Sequence, residues 1–158
     1  MKTVSDREEF AGWVSPHLAA MARLAARLAP DADRDDVVQE ALVRAWLKRH
    51  QFDPQRGTPS ARLLAITADQ AGKARSRASR RLAPVPNEPA SANHDDDLHL
   101  RQALDRLTDR QRLAVDCVHY VGLTVTETAA VMRCAEGTVK STLADARAEL
   151  RVLLEVAE

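Results

Sequence analysis

Aromatic side chains are scarce in this chain: two Trp, two Phe and one Tyr among 158 residues. With so little aromatic volume the interior must be aliphatic, and the abundance of Ala, Leu, Arg and Val favours helices with thin cores. Cysteine is scarcer still. Cys117 and Cys134 stand apart, with no CxxC pair and no matching His spacing. That speaks against zinc and against a disulfide framework, and both read as small apolar side chains in a reducing compartment. No basic segment followed by an apolar run opens the sequence, and no apolar run approaches the ~18 residues a membrane helix needs. The expectation is a cytoplasmic protein with no membrane insertion. Chemistry-bearing constellations are missing as well. No carboxylate pair, Ser/His/Asp set, Gly-rich phosphate loop or metal-ligand spacing stands out, and His17, His50, His94, His99 and His119 are scattered. We expect no enzyme, no metal and no cofactor.

Net charge is also absent, with 23 basic against 23 acidic side chains, which argues against a general polyanion binder. The balance is uneven along the chain, however. Residues 1–82 carry 15 basic and 10 acidic side chains, residues 83–100 none and 4, and residues 101–158 carry 8 and 9. The N-terminal half is therefore basic. Residues 83–97 hold Pro84, Pro86 and Pro89, little to bury and an acidic end, the composition of an extended linker. This predicts two domains, 1–82 and 98–158. No internal repeat is apparent.

In the first half, Ser5 with Glu8 spells a capping box that opens a helix through Phe10 and Trp13. Ser15-Pro16 suits a cap followed by a first helical residue. A second helix from Pro16 to Leu28 then buries Leu18, Met21, Leu24, Ala25 and Leu28, and Pro30 stops it. Asp33 caps a third helix, Arg34 to His50, with Asp35 and Asp36 at the positive end of its dipole. Its apolar stripe is Val37 or Val38, Ala41, Leu42, Ala45 and Trp46, which leaves Asp36, Gln39, Glu40 and Arg44 on the surface. After a loop at 52–57, Thr58-Pro59 starts a fourth helix. Its second half exchanges large apolar residues for Lys73, Arg75, Arg77, Arg80 and Arg81. Such a run is often only a solvated helix end, but clustered cations in a basic half also suit phosphate contact.

In the second half, a helix from Leu98 to Leu107 turns Leu100, Ala103, Leu104 and Leu107 inward. Thr108 with Gln111 caps the next, and Gly122 sits where a helix end takes a left-handed residue. The organising stretch is residues 123–151. Thr124 with Glu127 is a capping box, Ala129, Ala130 and Met132 give a small apolar face, and Arg133–Ala135 is a turn. A second helix starts at Glu136 with Val139, Leu143, Ala146 and Leu150 at helical spacing. Thr138, Lys140, Ser141, Thr142 and Arg147 then face outward. Short polar and basic side chains on the second of two helices suit entry into a major groove. By spacing alone, a plain helical hairpin fits equally well.

DADRDDVVQEALVRAW followed by FDPQRGTPSARLLAITADQA resembles region 2 of the extracytoplasmic-function class of sigma-70-type sigma factors. ALDRLTDRQRLAVDCVHYVGLTVTETAAVMRCAEGTVKSTLADARAELR resembles region 4 of the same class. The resemblance spans nearly the whole chain. It implies an all-α protein of two small helical domains, a region 2-like bundle and a region 4-like helix-turn-helix, joined by an extended linker. The implied function is to bind core RNA polymerase, through the β′ coiled coil and the β flap, and to direct it to promoter DNA. Asp36, Gln39, Glu40 and Arg44 match the polymerase-docking helix. Asp69, Lys73, Arg75, Arg77 and Arg80 fall on the −10 side, and Thr138, Lys140, Ser141, Thr142 and Arg147 on the −35 recognition helix. An anti-sigma factor is a further implied partner.

Departures from the family pattern bear on promoter opening. The family usually has Trp where this chain has Arg62, Asn near Asp69 and Asp near Lys73. Capture of an unstacked base must offset a few kcal/mol of unstacking, and an acid at Asp69 repels a phosphate backbone. On the recognition helix, often aromatic or basic positions are Ala144 and Asp145. The loss of a cation there predicts a −35 affinity penalty on the order of 1–3 kcal/mol. Ala135 lacks the side-chain cap Ser would give, worth roughly 1 kcal/mol. These departures motivate an alternative, a sigma-like polymerase-binding regulator with reduced melting ability that needs a partner. A plain repressor would need neither the docking helix nor the linker.

Overall fold

The computed structural model describes residues 2–81 and 95–156. These are helical, with turns between and no strand among the described residues. The chain divides into two compact units, Met1–Ala83 and Pro84–Glu158.

The first unit holds α1 (Lys2–Val14), α2 (Leu18–Leu28), α3 (Arg34–Leu47) and α4 (Pro59–Arg81). Helices α2, α3 and α4 pack on one another around Met21, Leu24, Leu63 and Leu64, all buried. At one end the contact is made by Ala25, Ala29, Val37 and Ala71. Side chains this small let helices approach closely, and this replaces the missing aromatic volume. The few rings lie to one side instead. Phe10 meets Trp46 edge-on at 5.1 Å, Trp13 lies 5.4 Å from Phe52, and the Arg49 guanidinium covers Trp46 at 3.8 Å.

The starts and stops of these helices repeat the sequence expectations in part. Asp33 is extended and its carboxylate accepts from the amides of Asp35 (2.9 Å) and Asp36 (3.2 Å), so α3 is capped as expected. Thr58 likewise accepts from Ala61 N at 3.1 Å. Elsewhere the structure differs. Helix α1 is already running at Lys2, which puts Ser5 inside it and not at its start. Ser15 does not cap the second helix, because its hydroxyl donates backward to the Ala11 carbonyl at 2.6 Å. Pro16 lies in a 3-10 turn, Ser15–His17, and α2 begins only at Leu18. That leucine is exposed. Helix α3 ends at Leu47, where Lys48 leaves helical geometry, and a second 3-10 turn covers Arg49–Gln51.

The second unit holds α5 (Asp95–Asp105), α6 (Asp109–Val115), a π-helical turn (Asp116–Val121), α7 (Val125–Met132) and α8 (Glu136–Val156). Helix α5 begins inside the expected 83–97 linker, three residues before Leu98, and residues 82–94 lie outside the described residues. Ala103 and Leu107 point inward as expected, whereas Leu98 and Leu100 are exposed. Thr108 and Gln111 form the expected capping box. Gly122 is left-handed, φ 83°, and lets the Leu123 amide reach back to the Cys117 carbonyl at 2.8 Å. Arg112 ties the helices together, pairing with Asp105 at 2.9 Å and with buried Asp116 at 3.8 Å. Burial, with Asp116 adjoining, pushes the Cys117 thiol up to about 12.

Candidate functional site

Three surfaces carry the candidate residues. The first is the outer face of α3. Val37, Ala41 and Ala45 are buried against the unit, and at about 100° per residue this turns Asp36, Gln39 and Glu40 outward, with Arg44 at the margin of the buried stripe. All four are exposed. Val43 and Leu47 lie on the same outer face, 53% and 68% exposed. Sequence reasoning missed them, although their spacing from Asp36 and Glu40 could have placed them. The face is therefore acidic at its N-terminal end and apolar at its C-terminal end. Both Asp36 and the capped helix start hold negative charge where the dipole favours it. Arg62 supports the other end. It is half-buried and donates to the Lys48 carbonyl at 3.5 Å, just past the end of α3, so it helps tie α4 to the end of that helix.

The second surface is an open groove along α4, lined by Asp69, Gly72, Lys73, Ser76, Arg77 and Arg80. Lys73, Arg77 and Arg80 share one face by helical spacing, and Asp69 precedes them by one turn. The structure thus brings four of the five −10-side candidates together. Arg75 is exposed but lies about 200° around the helix from Lys73, on another flank.

The third surface is the α7–α8 pair. Its capping box is complete: Thr124 accepts from Glu127 N at 3.1 Å, and the Glu127 carboxylate accepts from Thr124 N at 3.0 Å. Met132, Val139 and Leu143 share a core with Ala114 and Ala129, which fixes the angle at which α8 leaves the turn. The Thr126 hydroxyl donates to the Glu136 carboxylate at 2.8 Å and pins the start of α8 to α7. Ala135 offers only its carbonyl, which accepts from Thr138 N at 3.0 Å and from Val139 N at 3.2 Å. In the turn, Arg133 takes φ 54° and ψ 49°, a left-handed conformation costing a residue with a Cβ roughly 1–2 kcal/mol. The turn was legible from sequence, but this conformation was not.

Along α8, Thr138, Lys140, Ser141 and Arg147 are exposed and Thr142 is half-buried. The hydroxyls of Ser141 and Thr142 donate to the Thr138 carbonyl at 3.0 and 2.7 Å, leaving their oxygens as acceptors. Charge is unevenly spread around the helix, although Glu136 falls one turn before Lys140 on the cationic flank. Lys140, Arg147 and Arg151 line one flank, while Thr138, Asp145 and Glu149 line the other, about 140° from Lys140 to Asp145. The repulsion expected from Asp145 falls on a different flank from the cations.

Two small helical units, one presenting an acidic and apolar helix face and the other a helix-turn-helix, make up a two-domain protein of the helix-turn-helix class. Residues 13–81 match the family described as Sigma-70 region 2, and residues 98–150 the family described as Sigma-70, region 4. The RNA polymerase sigma-E factor of Streptomyces coelicolor is 32% identical over 90% of this chain and 84% of that protein. The ECF RNA polymerase sigma factor SigM of Mycobacterium tuberculosis is 33% identical over 87% of this chain and 71% of its own. Among solved structures, CnrH in complex with the cytosolic domain of CnrY superposes with a TM-score of 0.67 at 27% identity, covering 96% of this chain and 91% of that one. The sigma factor RpoE in complex with the anti-sigma factor NepR, from Bartonella quintana, gives 0.63 at 27%, covering 96% and 99%. The chain belongs to the extracytoplasmic-function class of the sigma-70 family.

Among the described residues no helix is long and apolar enough to cross a membrane.

Proposed function

We propose that this chain acts in the cytoplasm as a dissociable initiation subunit that carries out no reaction of its own. Through the outer face of α3 it docks on core RNA polymerase. Lys73, Arg77 and Arg80 of α4 lie toward the −10 element, and Lys140, Ser141 and Arg147 of α8 toward the −35 element. The observation that carries the reading is the α3 face itself: Asp36, Gln39 and Glu40 project from a helix whose opposite side is locked in the core, and exposed Arg44 borders them. Such a face is complementary to a basic partner helix, and the adjoining Val43 and Leu47 supply apolar area that a partner would cover. The two solved relatives are bound to CnrY and to the anti-sigma factor NepR. By extension, an anti-sigma protein that occludes this face would hold the chain inactive.

A second reading has its own support. Asp69 lies in the α4 groove beside Lys73 and Arg77, where it lowers the attraction for a displaced strand. Under that reading the chain recruits polymerase but opens DNA only with a helper. Run-off transcription with purified core polymerase on a genomic promoter library separates the two. Specific transcripts support the sigma-factor reading, polymerase binding without transcripts supports the second, and no polymerase association refutes both.

A further inference from the structure

The first side chain of α8 is held by the helix before it. Glu136 opens α8, and its Oε1 accepts from the Thr126 hydroxyl at 2.8 Å. Thr126 lies in the first turn of α7, so the bond joins the starts of the two helices. Both residues are exposed. The helix dipole accounts for an acid at this position, but it does not require a second helix to fix that acid's side chain. Pinning a long exposed side chain costs rotamer freedom, and the result is a carboxylate set in one place at the helix tip. The bond engages one oxygen and leaves Oε2 as an acceptor. Further along α8, Ser141 and Thr142 spend their hydroxyl hydrogens on the Thr138 carbonyl, so they too are left accepting. In a helix-turn-helix, the N-terminal residues of the second helix meet base edges in the major groove.

We propose that Glu136 reads a cytosine in the −35 element, with Thr126 as its positioning residue. Cytosine presents its N4 amine as a donor to the major groove, and a carboxylate is the matching acceptor. Guanine and thymine offer acceptors there and no donor, so a carboxylate is repelled. Adenine sets an acceptor beside its donor, and a carboxylate has no hydrogen to give it. Lys140, one turn on, lies on the same flank and offsets the repulsion between the carboxylate and the phosphates. The inference rests on the −35 reading of α8 and deepens it.

The test uses the full chain with core RNA polymerase and a library of promoter-length duplexes of random sequence, sequenced before and after binding. The wild-type chain should enrich cytosine at one −35 position. Glu136→Gln keeps an oxygen for Thr126 and gains an amide donor, which suits adenine. It should lose the cytosine preference roughly five- to fiftyfold, gain adenine at that position, and leave the other positions unchanged. Glu136→Ala should lose the preference and gain no other. Thr126→Val should blunt the same preference, and Thr126→Ser, which restores the hydroxyl, should recover it. An intact cytosine preference in Glu136→Gln and Glu136→Ala overturns this inference alone, as does an intact preference in Thr126→Val. Uniform weakening on every sequence, with the preference kept, makes the pair a structural brace and also overturns it. A wild-type chain that enriches no upstream sequence removes the −35 reading itself, and this inference with it.

Discussion

Reversing charge on the α3 face, with Asp36→Arg and Glu40→Arg together, should separate docking from folding. The stability cost is small. Asp36 lies in the first turn of α3, where an acid gains about 0.3–1 kcal/mol from the dipole. A cation there loses that and suffers a similar repulsion, so the change costs about 0.6–2 kcal/mol. Glu40 lies beyond the first turn, where the dipole effect has faded, and it is exposed. Its reversal should stay within about 0.5 kcal/mol. Against a basic partner, each reversal exchanges attraction for repulsion. At about 1.5–3 kcal/mol per position, the pair should weaken polymerase binding by roughly 10²–10⁴-fold. The neutral pair, Asp36→Asn with Glu40→Gln, removes attraction without adding repulsion and should fall between. Binding to immobilised core polymerase at about 50 and 300 mM salt reads the effect, since screening shrinks an electrostatic loss. Thermal unfolding serves as the control. An affinity within about threefold of wild type, with normal unfolding, would refute the docking assignment.

Three further outcomes follow from the same structure. Leu47→Gln should leave stability within about 0.5 kcal/mol, because the side chain is 68% exposed. It should also weaken polymerase binding by roughly 1–2 kcal/mol if a partner covers it, and unchanged binding would exclude Leu47 from the interface. Thr124→Ala breaks the capping box at the start of α7 and should cost about 1 kcal/mol, a drop of roughly 4–8 °C in the melting of a unit this small; an unshifted melt would show the cap to be idle. Cys117 is held as the thiol, pushed up to about 12 from 9.0. Above pH 9 the unfolded chain ionises it and the folded chain does not, so its contribution is whole below pH 9 and is lost between 9 and 12. The loss is at most about 1.4 kcal/mol per pH unit. Urea unfolding should therefore show a steeper alkaline decline for the native chain than for Cys117→Ala, and parallel declines would contradict the burial argument.

Much of this fold could be read from local chemistry. Asp33, Thr108, Thr124 and Gly122 act where the sequence placed them, because a cap or a left-handed closure is decided within four residues. The buried stripe of α8 was also legible, since Val139, Leu143 and Ala146 repeat at helical spacing. Boundaries were harder. Ser15 could cap forward or donate backward, and only the neighbouring turn decides between Ala11 and the next helix. The end of α3 depends on Arg49, whose guanidinium donates to the Trp46 carbonyl at 2.8 Å while stacking on its ring. A contact of that kind leaves no periodic trace.

The misplaced leucines share a cause. Periodicity assigns each large apolar side chain to the core of its own chain, because burial is where such residues gain free energy. Leu18 and Leu100 were read that way, and Leu47 was passed over, yet all three are exposed. In a self-contained enzyme of this size those exposures would be scattered accidents. Here Val43 and Leu47 continue the acidic residues of α3 along one line, so the exposed apolar area and the charge occupy a single face. Charge alone would give a fast but weak encounter, and apolar area alone would not choose a partner. Together they suit a subunit that must bind its polymerase firmly and still leave it. The sequence pattern could report the charge, because Asp36, Gln39 and Glu40 are polar and have no other place to go. It could not report the apolar half, because an exposed leucine and a core leucine look alike until the opposite side of the helix is seen to be full.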